Sequence, residues 1–240
     1  MSAMKTNASA MTTQLRDGAD AFSVTILEAE RSSCIGFFAV GRGGSPLRHL
    51  PLLQSVANRG CTVIAPHFTM LASAIPTKEE LDTRIRRFEI AADGCARADQ
   101  PIIGIGHSIG ALTLLVLAGG QARTLSGDRV VVGSKWKFAR LALFAPPADF
   151  FRYPGALDDV DVQTLLRVGG KDTMTPPAHA EFLKEKLAQK APVELGLDEN
   201  AGHFTYMDEL PPHVSDPQRD RSAFLSALAD AVGRFVTASR

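Results

Sequence analysis

The feature that most constrains this chain is a regular handover from short β-rich runs to helical segments. "CTVIAPH" (61–67), "PIIGIG" (101–106), "FARLALFAPP" (138–147), "VDVQTLLRVGG" (160–170) and "PVELGLD" (192–198) read as strands. The stretches between them carry helical spacing. Strand–helix alternation predicts a mostly parallel sheet with helices on both faces. Thr77 and Glu80 form a capping box behind Pro76, and Leu81, Ile85, Phe88, Ala92 and Cys95 then make one apolar stripe. "IGALTLLVLA" (109–118) is apolar on nearly every side, as a buried helix must be. "PLRHLPLLQSVANRG" (46–60) and "PPAHAEFLKEKLAQ" (176–189) complete the middle set. A last helix is predicted from Asp216 as N-cap and Pro217, with Phe224, Leu228, Val232 and Phe235 along one face. Upstream, "FSVTILEAE" (22–30) and "CIGFFAV" (34–40) read as a hairpin turning at residues 31–33. The expected sheet has about seven strands, with 121–137 open between loop and short strand.

Composition narrows the function classes. The chain has 240 residues, 26 basic and 26 acidic, and no long run of either sign. That excludes the basic face a phosphate backbone requires. Three dispersed cysteines, Cys34, Cys61 and Cys95, form no C-x-x-C pair and are expected as free thiols in a reducing compartment. Residues 1–20 lack a signal-peptide core and are expected to be a disordered tail, leaving 21–240 as one domain. No apolar run approaches the ~20 residues of a membrane span. A cytoplasmic protein is the expectation.

Chemistry concentrates at "GIGHSIGAL", where a strand passes directly into a helix. A sharp turn there strains the central serine, and Gly106 and Gly110 remove side chains that would obstruct it. The Ser108 hydroxyl would project beside the N–H groups of the next helix, which favour developing negative charge. A serine hydroxyl needs a base, and an imidazole base needs a carboxylate to orient it. Asp172 follows the 160–170 strand in "GGKDTMTPP", and His203 follows the 192–198 strand in "NAGHF". Both therefore fall at strand ends, downstream of the serine.

These three segments, in this order, resemble the α/β-hydrolase superfamily over roughly residues 22–238. The resemblance implies an α/β-hydrolase fold with Ser108 as nucleophile, His203 as base and Asp172 as acid. It also implies an oxyanion hole made by the N–H of Ile109 and one from "GRGG" (41–44), either Arg42 or Gly43. Val40 stands where the superfamily often has His. Only "ADFFRYPGALDD" (148–159) separates two strands, too little for a sizeable cap domain. Phe150, Phe151 and Tyr153 are then expected to line an open cleft with Met70 and Leu71, the equal alternative being simple hydrophobic packing. The implied activity is metal- and cofactor-independent hydrolysis of a small ester or thioester through an acyl-enzyme, with no nucleic-acid partner.

Rival readings stand beside these. Asp149 is the main competitor for the acid, and His203 could instead be a loop residue satisfied by Asp198 or Glu199. His107 is expected to pack beneath the turn, His67 to make hydrogen bonds in its own turn or else to point toward the mouth of the cleft, and Trp136 to pack near the 138 strand. His179 is expected on an exposed helical face, while His49 and His213 lack strand-end context. The Arg42 side chain could bind an acidic substrate. Two other functions stay open: a ligand-binding or sensor protein on the same fold, and an amidase or peptidase with the same triad.

Overall fold

The computed structural model describes residues 8–96, 99–133 and 136–238. The chain opens with a hairpin, β1 (Ala10–Asp17) and β2 (Asp20–Leu27), joined by a two-residue turn in which Gly18 adopts φ 64°. Then follow β3 (Cys34–Ala39), a 3₁₀ turn (Pro46–His49), α1 (Leu50–Asn58), β4 (Cys61–Pro66) and α2 (Lys78–Cys95). β5 (Ile102–His107) leads directly into α3 (Ile109–Leu117). The short strands β6 (Ala122–Arg123) and β7 (Arg129–Val130) make a small separate ribbon. β8 (Phe138–Phe144), β9 (Gln163–Gly169), α4 (Pro177–Leu187), β10 (Val193–Asp198) and α5 (Arg221–Thr237) complete the chain.

Eight strands form one sheet in the order β1-β2-β4-β3-β5-β8-β9-β10. Pairing is antiparallel from β1 through β2 to β4 and parallel in every other neighbour pair. Side-chain alternation divides the core into two layers. Phe37 and Ile35 face the layer of α2, α3 and α4, whereas Phe38 and Cys34 face that of α1 and α5. All nine residues of α3 are buried. Between β8 and β9 the chain makes only a 3₁₀ turn (Asp149–Phe151) and irregular turns, so no cap domain covers the sheet there. No helix among the described residues is long and apolar enough to cross a membrane.

Three local expectations are corrected. Residues 10–17 are not an irregular tail but an edge strand, and residues 1–7 lie outside the described residues. The polar run Thr12-Thr13-Gln14 concealed the strand: one face is exposed, and the face turned to α2 carries a single core-packed side chain, Leu15, between the polar Thr13 and Asp17. Arg86 and Arg87 of α2 clasp Asp17 at its end. β2 does not form a hairpin with β3; β4 inserts between them, with Leu27 opposite Val63 and Cys34 opposite Cys61. The last helix is capped by Asp220, which accepts from the Ala223 N–H at 3.0 Å. Asp216 instead accepts from the Gln218 N–H and from Thr205 Oγ1, so its turn precedes the helix.

The capping box at Thr77 and Glu80 forms as read. Cys34 and Cys61 are buried free thiols, and Cys95 is half-buried. Trp136 packs edge-on against Phe37 with ring centroids 4.9 Å apart, and Phe37 in turn meets Phe88. Replacing Phe37 by Ala removes the centre of this cluster. The expected cost is about 3–5 kcal/mol, read as a lowered urea midpoint followed through the fluorescence of Trp136, the chain's single tryptophan.

Candidate active site

Ser108 occupies the junction between β5 and α3 with φ 55° and ψ −123°, outside the regions L-residues ordinarily adopt. Such a conformation costs of order 1–3 kcal/mol and persists only where its surroundings enforce it. Here the Ser108 N–H donates to Phe144 O, and the Ser108 carbonyl accepts from the Ala111 and Leu112 N–H groups. Close backbone approach does the rest. A Cβ on Gly110 would lie 1.9 Å from Ala39 O, and one on Gly106 would lie 2.9 Å from Ala111 N. Any side chain at either position would push the helix off the sheet.

The three side chains singled out in sequence meet in one hydrogen-bonded row. His203 Nε2 lies 2.9 Å from Ser108 Oγ, and His203 Nδ1 lies 2.8 Å from Asp172 Oδ2. All three residues are buried. Asp172 is further held by the N–H groups of Met174 and Thr175 on Oδ1, each at 2.8 Å, and by the Thr175 hydroxyl on Oδ2 at 2.7 Å. Burial pushes the Asp172 carboxyl up, but hydrogen bonds from His203 and Thr175 outweigh it, and the net shift is downward. Asp172 is therefore ionised at neutral pH. With a carboxylate on Nδ1, the ring carries its proton there and leaves Nε2 as an acceptor for the serine hydroxyl.

The loop bearing His203 is fixed from several sides. Tyr206 is fully buried, stacks on Phe144 at 5.7 Å, and donates its hydroxyl to Asp198 at 2.9 Å. Asp198 also receives the Arg167 guanidinium, so it serves the loop and does not pair with His203. His107 Nε2 donates to the carbonyl of His203 at 2.8 Å. His49, unremarkable in sequence, is buried, bonds through Nδ1 to Tyr206 O, and lies against the His107 ring at 5.4 Å.

The remaining candidates fall elsewhere. Asp149 is exposed, pairs with Arg152 at 2.8 Å, and approaches His179 rather than His203. His179 is buried, contrary to expectation, because its Nδ1 accepts from the Ala148 N–H. His67 bonds Thr25 at 2.7 Å, and His213 sits in a turn at φ 66°. Phe150, Phe151 and Tyr153 do not line the cleft. Phe150 and Phe151 are core residues, Phe151 packing against the Gly120 end of α3, remote from Ser108. The Tyr153 hydroxyl donates to Gln121 O beneath the Arg123 guanidinium. Leu71 is likewise buried.

Beside Ser108 lies a cavity of about 210 Å³. Gly41, Arg42, Gly43, Ile109 and His203 line it, and Met70, Met174, Phe204, Met207 and Pro211 are among its apolar residues. The Arg42 side chain is spent on the carbonyls of Leu71 and Ala72. Thr175 and Arg84 are two of the polar residues that sequence reading passed over, with Tyr206 and Arg167. Thr175 shows only in its Asp-x-x-Thr spacing. Arg84 shows as a lone charge on the apolar stripe of α2. Among the described residues no group of three or more His, Cys, Asp or Glu side chains could hold a metal ion.

No family model and no curated protein matches this sequence. Solved structures do. A Pyrococcus furiosus esterase, Pf2001, superposes with a TM-score of 0.65 at 15% identity, over 95% of this chain and 91% of its own. A dienelactone hydrolase from Anabaena variabilis gives 0.66 at 18%, over 95% and 97%. The Lactobacillus plantarum carboxylesterase Cest-2923 gives 0.63 at 15%, over 97% and 100%. Together with the sheet order and the strand-to-helix serine, these likenesses define the architecture: the chain has the α/β-hydrolase fold.

The buried histidines make stability sensitive to acid. Burial holds His49 down at about 4, and burial with the neighbouring His203 and His49 holds His107 well below its usual value. An unfolded histidine takes up a proton near 6.5, while folded His49 stays neutral until about 4. Stability should therefore fall as pH drops through that window, by up to about 1.4 kcal/mol per pH unit for each such group. Urea midpoints measured between pH 7 and pH 4.5 should show the decline, and His49→Gln should make it shallower.

Proposed function

We propose that this chain is a serine hydrolase acting on small carboxylic esters or thioesters through an acyl-enzyme. The observation that carries this reading is the unbroken row from Asp172 through His203 to a Ser108 held at φ 55°. In the proposed reaction Ser108 Oγ attacks the substrate carbonyl as His203 Nε2 takes its proton. Asp172 keeps the ring oriented and stabilises the imidazolium. The N–H of Ile109, with that of Arg42 or Gly43, receives the charge developing on the carbonyl oxygen. Collapse expels the alcohol or thiol, which takes the proton from His203. Water, deprotonated by the same nitrogen, then releases the acid and restores Ser108.

The cavity supports a small substrate. Its volume, about 210 Å³, falls below the roughly 300–1,000 Å³ of clefts that enclose drug-sized ligands. Its wall is mostly apolar, which suits a short acyl chain. Likeness to the esterases and the dienelactone hydrolase named above adds weight to esters over amides.

The test is labelling by a fluorophosphonate, with the modified residue located by mass spectrometry. Wild-type protein should label at Ser108, and Ser108→Ala and His203→Ala should not label. Asp172→Asn should retain the fold while kcat on p-nitrophenyl acetate falls by up to about 10⁴-fold. Intact wild-type protein that binds a small ester without labelling or turnover would replace this reading with a ligand-binding role.

A further inference from the structure

Position 84 departs from the logic of its helix. α2 buries Leu81, Ile85, Phe88 and Ala91, and Arg84 shares that face at 2% exposure. A guanidinium withdrawn from water must find acceptors, and a carboxylate is the usual one. Among the described residues none lies within ion-pair distance of Arg84. Its acceptors are backbone carbonyls of three consecutive residues. Nη1 donates to Val40 O at 2.9 Å, and Nη2 donates to Gly41 O at 3.1 Å and reaches Arg42 O at 3.5 Å. The Phe68 ring lies 4.7 Å from the guanidinium carbon. Burial lowers its pKa to about 10, which leaves it charged at neutral pH.

Peptide planarity turns this into a statement about donors. In a trans peptide the C=O of one residue and the N–H of the next point in opposite directions. Carbonyls 40, 41 and 42 drawn toward Arg84 therefore turn the N–H groups of Gly41, Arg42 and Gly43 away from it. All three residues line the cavity beside Ser108, and among the described residues none of these N–H groups meets a backbone acceptor. A buried cation behind the same peptides also polarises them, making their N–H groups stronger donors.

We infer that Arg84 is the positioning residue of the oxyanion hole, aligning the 40–43 peptides so that the Arg42 and Gly43 N–H groups face the carbonyl attacked by Ser108. The inference rests on the hydrolase reading above. Arg84 touches no substrate; it acts through the loop. The loop supplies donors without side chains, so their direction must come from what grips their carbonyls. Apart from Arg84, the 40–44 backbone is held by Gly44 N–H to Gly41 O at 3.3 Å and, from the segment after β4, by Leu71 N–H to Arg42 O at 3.1 Å and Phe68 N–H to Gly44 O at 2.9 Å. Among the described residues, the Val40 carbonyl therefore has Arg84 as its one grip from outside the sheet, and the Gly41 carbonyl shares it only with Gly44.

The test compares full-length wild type, Arg84→Met and Arg84→Lys on p-nitrophenyl acetate, with active sites counted by fluorophosphonate titration. A trifluoromethyl ketone serves as mimic of the tetrahedral adduct. In Arg84→Met, kcat per titrated site should fall about 10²–10³-fold with KM within about threefold of wild type. Ketone affinity should fall in step with kcat/KM, and the acid limb of the pH–rate profile should not move. Arg84→Lys, which keeps the charge and some donors, should recover roughly tenfold of the loss. An Arg84→Met protein with wild-type kcat per site overturns the inference, as does a fall in kcat without a matching fall in ketone affinity. If Arg84→Met fails to fold, Arg84→Lys and Arg84→Gln are judged by the same two criteria. A wild-type chain that neither labels nor hydrolyses ester overturns the hydrolase reading itself, whereas an active wild type with an unaffected Arg84 variant overturns only the role of Arg84.

Discussion

Everything at this site depends on how closely α3 sits against the end of β3. The backbone of Gly110 lies against the carbonyl of Ala39, leaving no room for a Cβ. This contact fixes the start of α3 relative to the end of β3, and so brings the serine turn beside the 40–44 loop. Without it the Ser108 hydroxyl and the loop's N–H groups would belong to different neighbourhoods. The strained backbone at Ser108 follows from the same geometry, since a helix seated this tightly must begin at once where the strand stops. Its cost is spread over the packing of a fully buried helix.

Around that contact the protein uses buried polar groups sparingly, and each holds something else in place. Arg84 grips three carbonyls, His107 grips the carbonyl of His203, and Thr175 reaches Asp172. Arg167 and Tyr206 converge on Asp198 at the end of β10. These groups lie near the ends of parallel strands, where the ladder stops and loop backbone needs partners. Those bonds limit how far the loops can drift. A hydrogen-bonded row tolerates displacements of only a fraction of an ångström.

Much of this was legible in the sequence, and the unread part has physical causes. Strand–helix alternation, the glycines flanking Ser108, and the placement of Asp172 and His203 after strands are local patterns, and local pattern is what a sequence displays. β1 escaped notice because one face of this edge strand is exposed and the other offers α2 one apolar side chain, Leu15, flanked by Thr13 and Asp17. The hairpin reading of β2 and β3 failed because adjacency in sequence does not reveal that a later strand will insert. Phe150 and Phe151 were misplaced for a related reason: aromatic residues after a strand suit a cleft wall and a core equally, and only the seating of α3 decides. His49 and Arg84 act on groups 157 and 42–44 positions away, a separation no spacing rule spans.

The cavity wall has a consequence of its own. Three of its side chains, Met70, Met174 and Met207, are unbranched thioethers, and the first two are 63% and 50% exposed. Methionine repacks at little energetic cost, because it has three freely rotating bonds and a polarisable sulfur. On the proposed function, one end of the site is rigid backbone and hydrogen-bonded polar groups, while the other is a soft lining able to repack around a substrate. Such a division separates two demands that usually compete: fixed alignment at the reacting atoms and breadth in what can be brought to them. Variation in Met70 and Met174 can then alter breadth while the alignment stays as it is.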